Sequence, residues 1–145
     1  MAEQATGSTE IRATPREVMA VIADFDAYPE WAGQLEEVTV LAKDERGRGT
    51  KVAFKLNTPF FPAAYTLAYA YAPADAGVSW TYVEGTLEDL SGSYTLEPLG
   101  PGTTRVTYEL SVALNVPMPG LLRRQAARQI VRTALADLKR RVESA

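Results

Sequence analysis

The sequence predicts an α+β fold in which a long C-terminal helix lies across one face of a curled, seven-stranded antiparallel sheet, with two short helices between strands 1 and 2. Three observations carry that expectation. From Pro119 to Ser144 nothing breaks a helix, and Leu122, Ala126, Ile130, Ala134, Leu138 and Val142 recur at steps of four. Leu121, Ala127, Val131 and Leu135 widen that stripe, and arginines and a lysine fill the rest of the circumference. Almost everything upstream alternates apolar with polar residues at a period of two, the pattern of strands with one covered face. Finally, seven strands at roughly 4.8 Å spacing set the outer two about 29 Å apart, comparable to a helix of about 39 Å at roughly 1.5 Å per residue.

Taken in order, Ser8 to Ala13 reads as the first strand, with Thr9, Ile11 and Ala13 on one face and Arg12 on the other. Thr14-Pro15-Arg16-Glu17 then announces a helix: a threonine N-cap, a proline in the first turn, and a glutamate that reaches back as a capping box. That helix ends near Asp24, and Asp26 is placed to cap a second short turn through Tyr28-Pro29-Glu30-Trp31. Leu35 to Leu41 is the second strand. A charged hairpin loop from Lys43 to Gly49 leads to the third, where Val52, Phe54 and Leu56 share a face. The next loop, Asn57 to Pro62, is apolar and carries Phe60 and Phe61 between prolines. Tyr65, Leu67, Tyr69 and Tyr71 form one face of the fourth strand, and Val78, Trp80, Tyr82 and Glu84 one face of the fifth. Leu90, Gly92, Tyr94 and Leu96 follow on the sixth; Val106, Tyr108, Leu110, Val112 and Leu114 complete the seventh. Gly85 marks a bulge or tight turn, so Glu84 beside it is expected in solvent. Asn115-Val116-Pro117-Met118-Pro119 leads into the long helix.

With 145 residues, 46% hydrophobic and 23% charged, the chain is sized for one folded domain spanning residues 1–145. It contains neither cysteine nor histidine, which removes disulfides, thiolate sites, the commonest metal ligand and the commonest general base. No metal and no cofactor are expected. The first ten residues are polar and acidic, unlike a signal peptide, and no apolar run has the length of a membrane span, so a soluble, cytoplasmic protein is predicted. Net charge is −3, but seven basic and two acidic residues fall in 119–144, a local +5 against −8 elsewhere. Without aromatic or polar base readers among them, those arginines predict a solvated helix face and no nucleic-acid partner.

The order of elements, and several short stretches within it, resemble a known family. The matching stretches are Ala13-Thr14-Pro15 with Glu17-Val18, Asp24-Phe25-Asp26-Ala27-Tyr28-Pro29-Glu30-Trp31, Val78-Ser79-Trp80, Gly92 to Pro98, Gly102 to Tyr108, and Val116-Pro117-Met118-Pro119-Gly120. Together they resemble the START-like (Bet v 1-like, SRPBCC) superfamily with its helix-grip fold, and within it the bacterial polyketide cyclase/dehydrase and coenzyme-Q-binding branch. The resemblance implies a cavity between sheet and helix that holds a lipid, isoprenoid or polyketide-like molecule.

The residues point the same way. A fully packed sheet–helix core favours Leu, Ile and Val, because buried tyrosines need partners for their hydroxyls. So many inward rings fit a pocket with apolar walls and polar tips. The candidate ligand-binding residues are Phe54, Tyr65, Leu67, Tyr69, Trp80, Tyr82 and Tyr94 on the sheet, and Leu122, Ala126 and Ile130 on the helix. Trp31 reads as structural, and Phe60 and Phe61 either pack the loop or form a lip over the mouth. The leading expectation is a binding or transport module, monomeric or homodimeric, without stable membrane insertion. The alternative is an aromatase/cyclase in the same cavity. The resemblance implies that such cyclases use a pocket arginine with tyrosines, and no arginine here falls on an inner-face strand position.

Overall fold

The computed structural model describes residues 2–33, 35–57, 62–113 and 118–144. The elements run β1 (Glu3–Ile11), α1 (Pro15–Ala23), a 3-10 turn (Phe25–Glu30), β2 (Leu35–Lys43), β3 (Gly49–Asn57), β4 (Pro62–Tyr71), β5 (Gly77–Gly85), β6 (Asp89–Gly100), β7 (Thr103–Ala113) and α2 (Gly120–Glu143). All strands pair antiparallel in the order β1-β7-β6-β5-β4-β3-β2: a meander from β2 to β7, closed by β1 returning beside β7. This is the helix-grip architecture, with α2 lying over β1 and β7 and touching α1. The Phe60–Phe61 loop tip, Leu114 and the Asn115-Val116-Pro117 approach fall outside the described residues.

Local chemistry explains most boundaries. The Thr14 hydroxyl accepts from the Glu17 amide at 3.2 Å while the Glu17 carboxylate accepts from the Thr14 amide at 2.9 Å, a complete capping box. The second short helix differs from expectation. It begins at Phe25 with Asp24 as its flanking residue and no side-chain cap, so Asp26 does not cap it. What fixes this turn instead is Phe25, buried to 2% exposure. β1 also starts five residues earlier than Ser8. After Glu3, its first half carries only Ala5 and Gly7 on the inner face because α2 lies directly on them: a Cβ on Gly7 would sit 2.9 Å from Val131 Cγ1 and 3.2 Å from Leu135 Cδ1. At the other end of the sheet, pairing jumps from Thr66↔Glu84 to Leu67↔Tyr82, a bulge next to Gly85 (φ 145°) that leaves Glu84 exposed.

The phase of α2 needs correction. Its buried residues are Ala127, Val131, Leu135, Leu138 and Val142, while Leu122 is 49% and Ile130 40% exposed. Each step of four overshoots a full turn by about 40°, so the ladder from Leu122 to Val142 winds about 200° round the helix and cannot lie on one face. The buried set steps by four, four, three and four, which holds one direction. Leu138 is buried, and Arg124, Arg128 and Arg132 are exposed, as the sequence suggests.

Candidate ligand-binding site

The concave face of the sheet carries a continuous layer of rings. It begins at Trp31, 4.9 Å from Tyr28, and passes to Phe25, which lies 5.1 Å from Tyr28 and 4.8 Å from Tyr69. Phe54 joins Phe25 at 6.2 Å and Tyr65 at 5.6 Å. Tyr69 leads to Trp80 (5.8 Å), and Trp80 to both Tyr94 (5.4 Å) and Tyr108 (5.5 Å, edge to face). These separations and tilts are those that ring quadrupoles favour. Strand alternation places the sheet's share of the layer: Phe54 faces Tyr65, Tyr69 faces Trp80, and Tyr94 faces Tyr108 across neighbouring strands.

Within this layer the candidates separate by depth. Phe54, Leu67 and Trp80 are buried and belong to the core with Tyr108. Tyr65, Tyr69, Tyr82 and Tyr94 are half-buried, as is Ala126 on α2. Their hydroxyls divide further. Tyr82 donates to the Leu87 carbonyl at 2.8 Å, Tyr71 to the Gly49 carbonyl at 2.7 Å, and Tyr28 to the Ile22 carbonyl. Among the described residues, the hydroxyls of Tyr65, Tyr69, Tyr94 and the deeper Tyr108 make no hydrogen bond to protein, and no fully buried polar side-chain atom lacks a partner. Burial pushes the phenols of Tyr65, Tyr69, Tyr94 and Tyr108 well above their ordinary range, so they are donors held neutral. For Tyr71, burial outweighs the Arg48 guanidinium 4.2 Å over its ring and carries the phenol to about 12.

One flank of α2 turns toward this layer. Asp137 lies on it, with a side chain only 14% exposed, and its carboxylate adds to the upward push on Tyr94 after burial and Tyr28. Helical geometry puts Ala126, Ile130 and Ala134 on the same flank. Ile130's exposed surface thus lies within about 20° of Asp137 round the helix, two turns nearer its start. Leu122 sits about 180° from the buried direction and faces away from the sheet. Sequence reasoning passed over three contributors. Phe25 and Tyr28 lie in the Asp24–Trp31 stretch, whose dense aromatics were a usable signal. Asp137 was a lone acid beside the apolar stripe. Among the described residues, no three His, Cys, Asp or Glu side chains group to hold a metal ion. Nor, among them, is any helix long and apolar enough to cross a membrane.

Comparison with known proteins places this geometry. The family model described as polyketide cyclase / dehydrase and lipid transport matches residues 11–139. No curated protein matches the sequence at a significant level. Among solved structures, a START superfamily protein from Mycobacterium smegmatis superposes with a TM-score of 0.88 at 21% identity, over 97% of each chain. The Zhui aromatase/cyclase from Streptomyces sp. R1128 gives 0.76 at 14% identity, over 99% of this chain and 94% of the other. A STAR-related lipid transfer protein from Xanthomonas axonopodis gives 0.75 at 18% identity, over 96% and 85%.

Proposed function

We propose, for a chain that belongs to the polyketide cyclase/dehydrase and lipid transport family, a single ligand-binding domain that carries or senses a small hydrophobic molecule. The ligand, a flat aromatic or an isoprenoid, lies on the ring layer beneath the Ala126–Ile130 flank of α2. Phe54, Leu67 and Trp80 form the back wall; Tyr65, Tyr69, Tyr82 and Tyr94 line the approach. The observation that carries this reading is the set of half-buried phenols, Tyr65, Tyr69 and Tyr94, that have no protein acceptor among the described residues; an apolar helix residue left 40% exposed, Ile130, shares the helix flank of Asp137 and supports it. A core with nothing to bind would satisfy those hydroxyls or replace them with aliphatic side chains. An apolar guest covers Ile130 and the ring faces, and its polar end takes the phenolic protons. Native mass spectrometry of protein from its own host tests this: a co-purified small molecule is expected, lost when Tyr94 is replaced by leucine. Uniformly ligand-free protein that also takes up no isoprenoid or polycyclic aromatic would overturn it.

A second reading has one observation of its own. The Asp137 carboxylate, 14% exposed and paired with Arg140 at 3.0 Å, stands on the α2 flank nearest Tyr94, and a carboxylate at the edge of the layer can shuttle protons as a cyclase requires. Turnover of an aromatic polyketide mimic that disappears in Asp137→Asn, with binding retained, would establish that reading. The upward-shifted phenols are poor bases near neutral pH, and this weights the balance toward binding.

A further inference from the structure

The opposite flank of α2 holds a groove of ≈ 600 Å³ between that helix and β1. β1 ends the strand order, so among the described residues one of its edges has no strand beside it. Two contacts show which residues face that edge. Lys139 Nζ donates to the Glu10 carbonyl at 2.5 Å, and the Arg12 amide donates to Glu143 at 2.9 Å. Both groups of a strand residue point to the same side, and the β1–β7 register runs without a shift from Glu3 to Ile11. Gln4, Thr6 and Ser8 therefore turn their N–H and C=O groups outward, while the end of the edge near Glu10 is sealed by α2. An open edge is a template for another strand unless something blocks it. Beside this one lies an apolar floor of Ala5, Val131 and Leu135, and above it stand Arg128 and Arg132. Those two arginines are exposed and, among the described residues, form no ion pair, whereas Arg12, Arg123, Arg140 and Arg141 each have a carboxylate.

We propose that this groove receives an extended acidic peptide segment of a partner protein, added as a strand along Gln4–Ser8 with its carboxylates against Arg128 and Arg132. Strand addition supplies main-chain hydrogen bonds, and the arginine pair selects charge. A second copy of this chain fits less well. Pairing β1 with β1 would bring both copies' Arg128 and Arg132 together, and the carboxylates of β1 are already engaged, Glu3 with Arg123 and Glu10 with Arg105.

The test uses the full chain and two short end-blocked peptides, one alternating glutamate with valine and one alternating lysine with valine. The glutamate peptide is expected to protect the Thr6 and Ser8 amides from hydrogen exchange and to bind more weakly as salt is added. Arg128→Glu with Arg132→Glu is expected to weaken it about tenfold, the scale of two rim ion pairs. Should that variant fail to fold, Thr6→Pro, which removes one outward donor on an edge that tolerates proline, is expected to weaken binding while leaving the thermal midpoint unchanged. Equal binding of the lysine peptide, protection elsewhere on the sheet, or no protection at millimolar peptide would overturn the proposal. So would protection of Thr6 and Ser8 that rises with protein concentration alone, which would make a second copy the occupant.

Discussion

The two ends of the concave face are built from different residues. Under α2, the inner face of β1 and β7 is mostly small or aliphatic: Ala5, Gly7 and Ile11, then Val106, Leu110 and Val112, meeting Ala127, Val131 and Leu135, with Tyr108 opposite Gly7 as the one ring among them. Away from the helix the same face carries Phe54, Tyr65, Tyr69, Trp80 and Tyr94. The difference follows from distance. Helix and sheet pack with their backbones about 10 Å apart, which leaves room for a methyl or an isobutyl group but not for stacked rings. Beyond the helix's reach the sheet must fill or line a wider space, and rings do this with few rotatable bonds. Side-chain size thus reports how near the helix runs: a ring on β7 is accommodated only opposite Gly7, and rings become the rule on β3 to β6.

The largest effect that separates the ends is expected at alkaline pH. The ring end holds phenols raised by burial, Tyr71 to about 12 and others further, against an ordinary value of 10.0. Below that ordinary value both states keep their protons. As pH climbs from 10 toward 12, the unfolded chain releases protons that the folded chain retains, so stability falls with rising pH. Denaturant titrations at increasing pH, with tyrosinate absorbance followed in parallel, are expected to show late ionisation that coincides with unfolding.

On the helix end, Leu138→Ala is expected to cost about 2–5 kcal/mol through lost transfer energy and a cavity. Ile130→Ala, on the half-open flank, should cost below about 1 kcal/mol. Urea titration distinguishes them, and equal losses would break the assignment of flanks. Gly7→Ala is expected to cost about 1–3 kcal/mol by overpacking against Val131 and Leu135. Val131→Ala in the same chain should recover part of that, a non-additivity that direct contact predicts.

The smallest effects compare hydroxyls within the ring layer. Tyr82→Phe loses its bond to the Leu87 carbonyl and should cost about 1 kcal/mol. Tyr94→Phe has no such bond among the described residues and should fall within about 0.5 kcal/mol.

What was legible in the sequence follows from the strength of each signal. Alternation over seven runs and the Thr14–Glu17 cap are local and redundant, so the sheet, α1 and the Gly85 bulge could be read directly. The phase of α2 could not, because its apolar residues cover too wide an arc for a ladder of fours to identify the buried side; a mixed spacing of three and four would have found Ala127–Val142. The first half of β1 was silent for the opposite reason: Ala5 and Gly7 are small precisely where packing is closest, so they carry no hydrophobic signal. At the candidate site, alternation brought Tyr65, Tyr69 and Tyr94 to one face. It could not separate them from Phe54, Leu67 and Trp80, because depth depends on what lies above each residue. Asp137 joined the layer through the helix phase, and so was missed with it.

The most direct measurement is a ligand titration read by tryptophan fluorescence. Both tryptophans, Trp31 and Trp80, lie in the ring layer, so their emission reports on it. With a polycyclic aromatic quinone or a long isoprenoid alcohol as probe, the account predicts saturable quenching. Ile130→Lys and Tyr94→Leu should each weaken it at least about tenfold, by placing a charge or removing a donor beside the guest. The unfolding midpoint of Ile130→Lys should stay close to that of the parent. Saturable binding that neither substitution alters would contradict the account, since the guest would then sit somewhere other than between the ring layer and the Ile130 flank of α2.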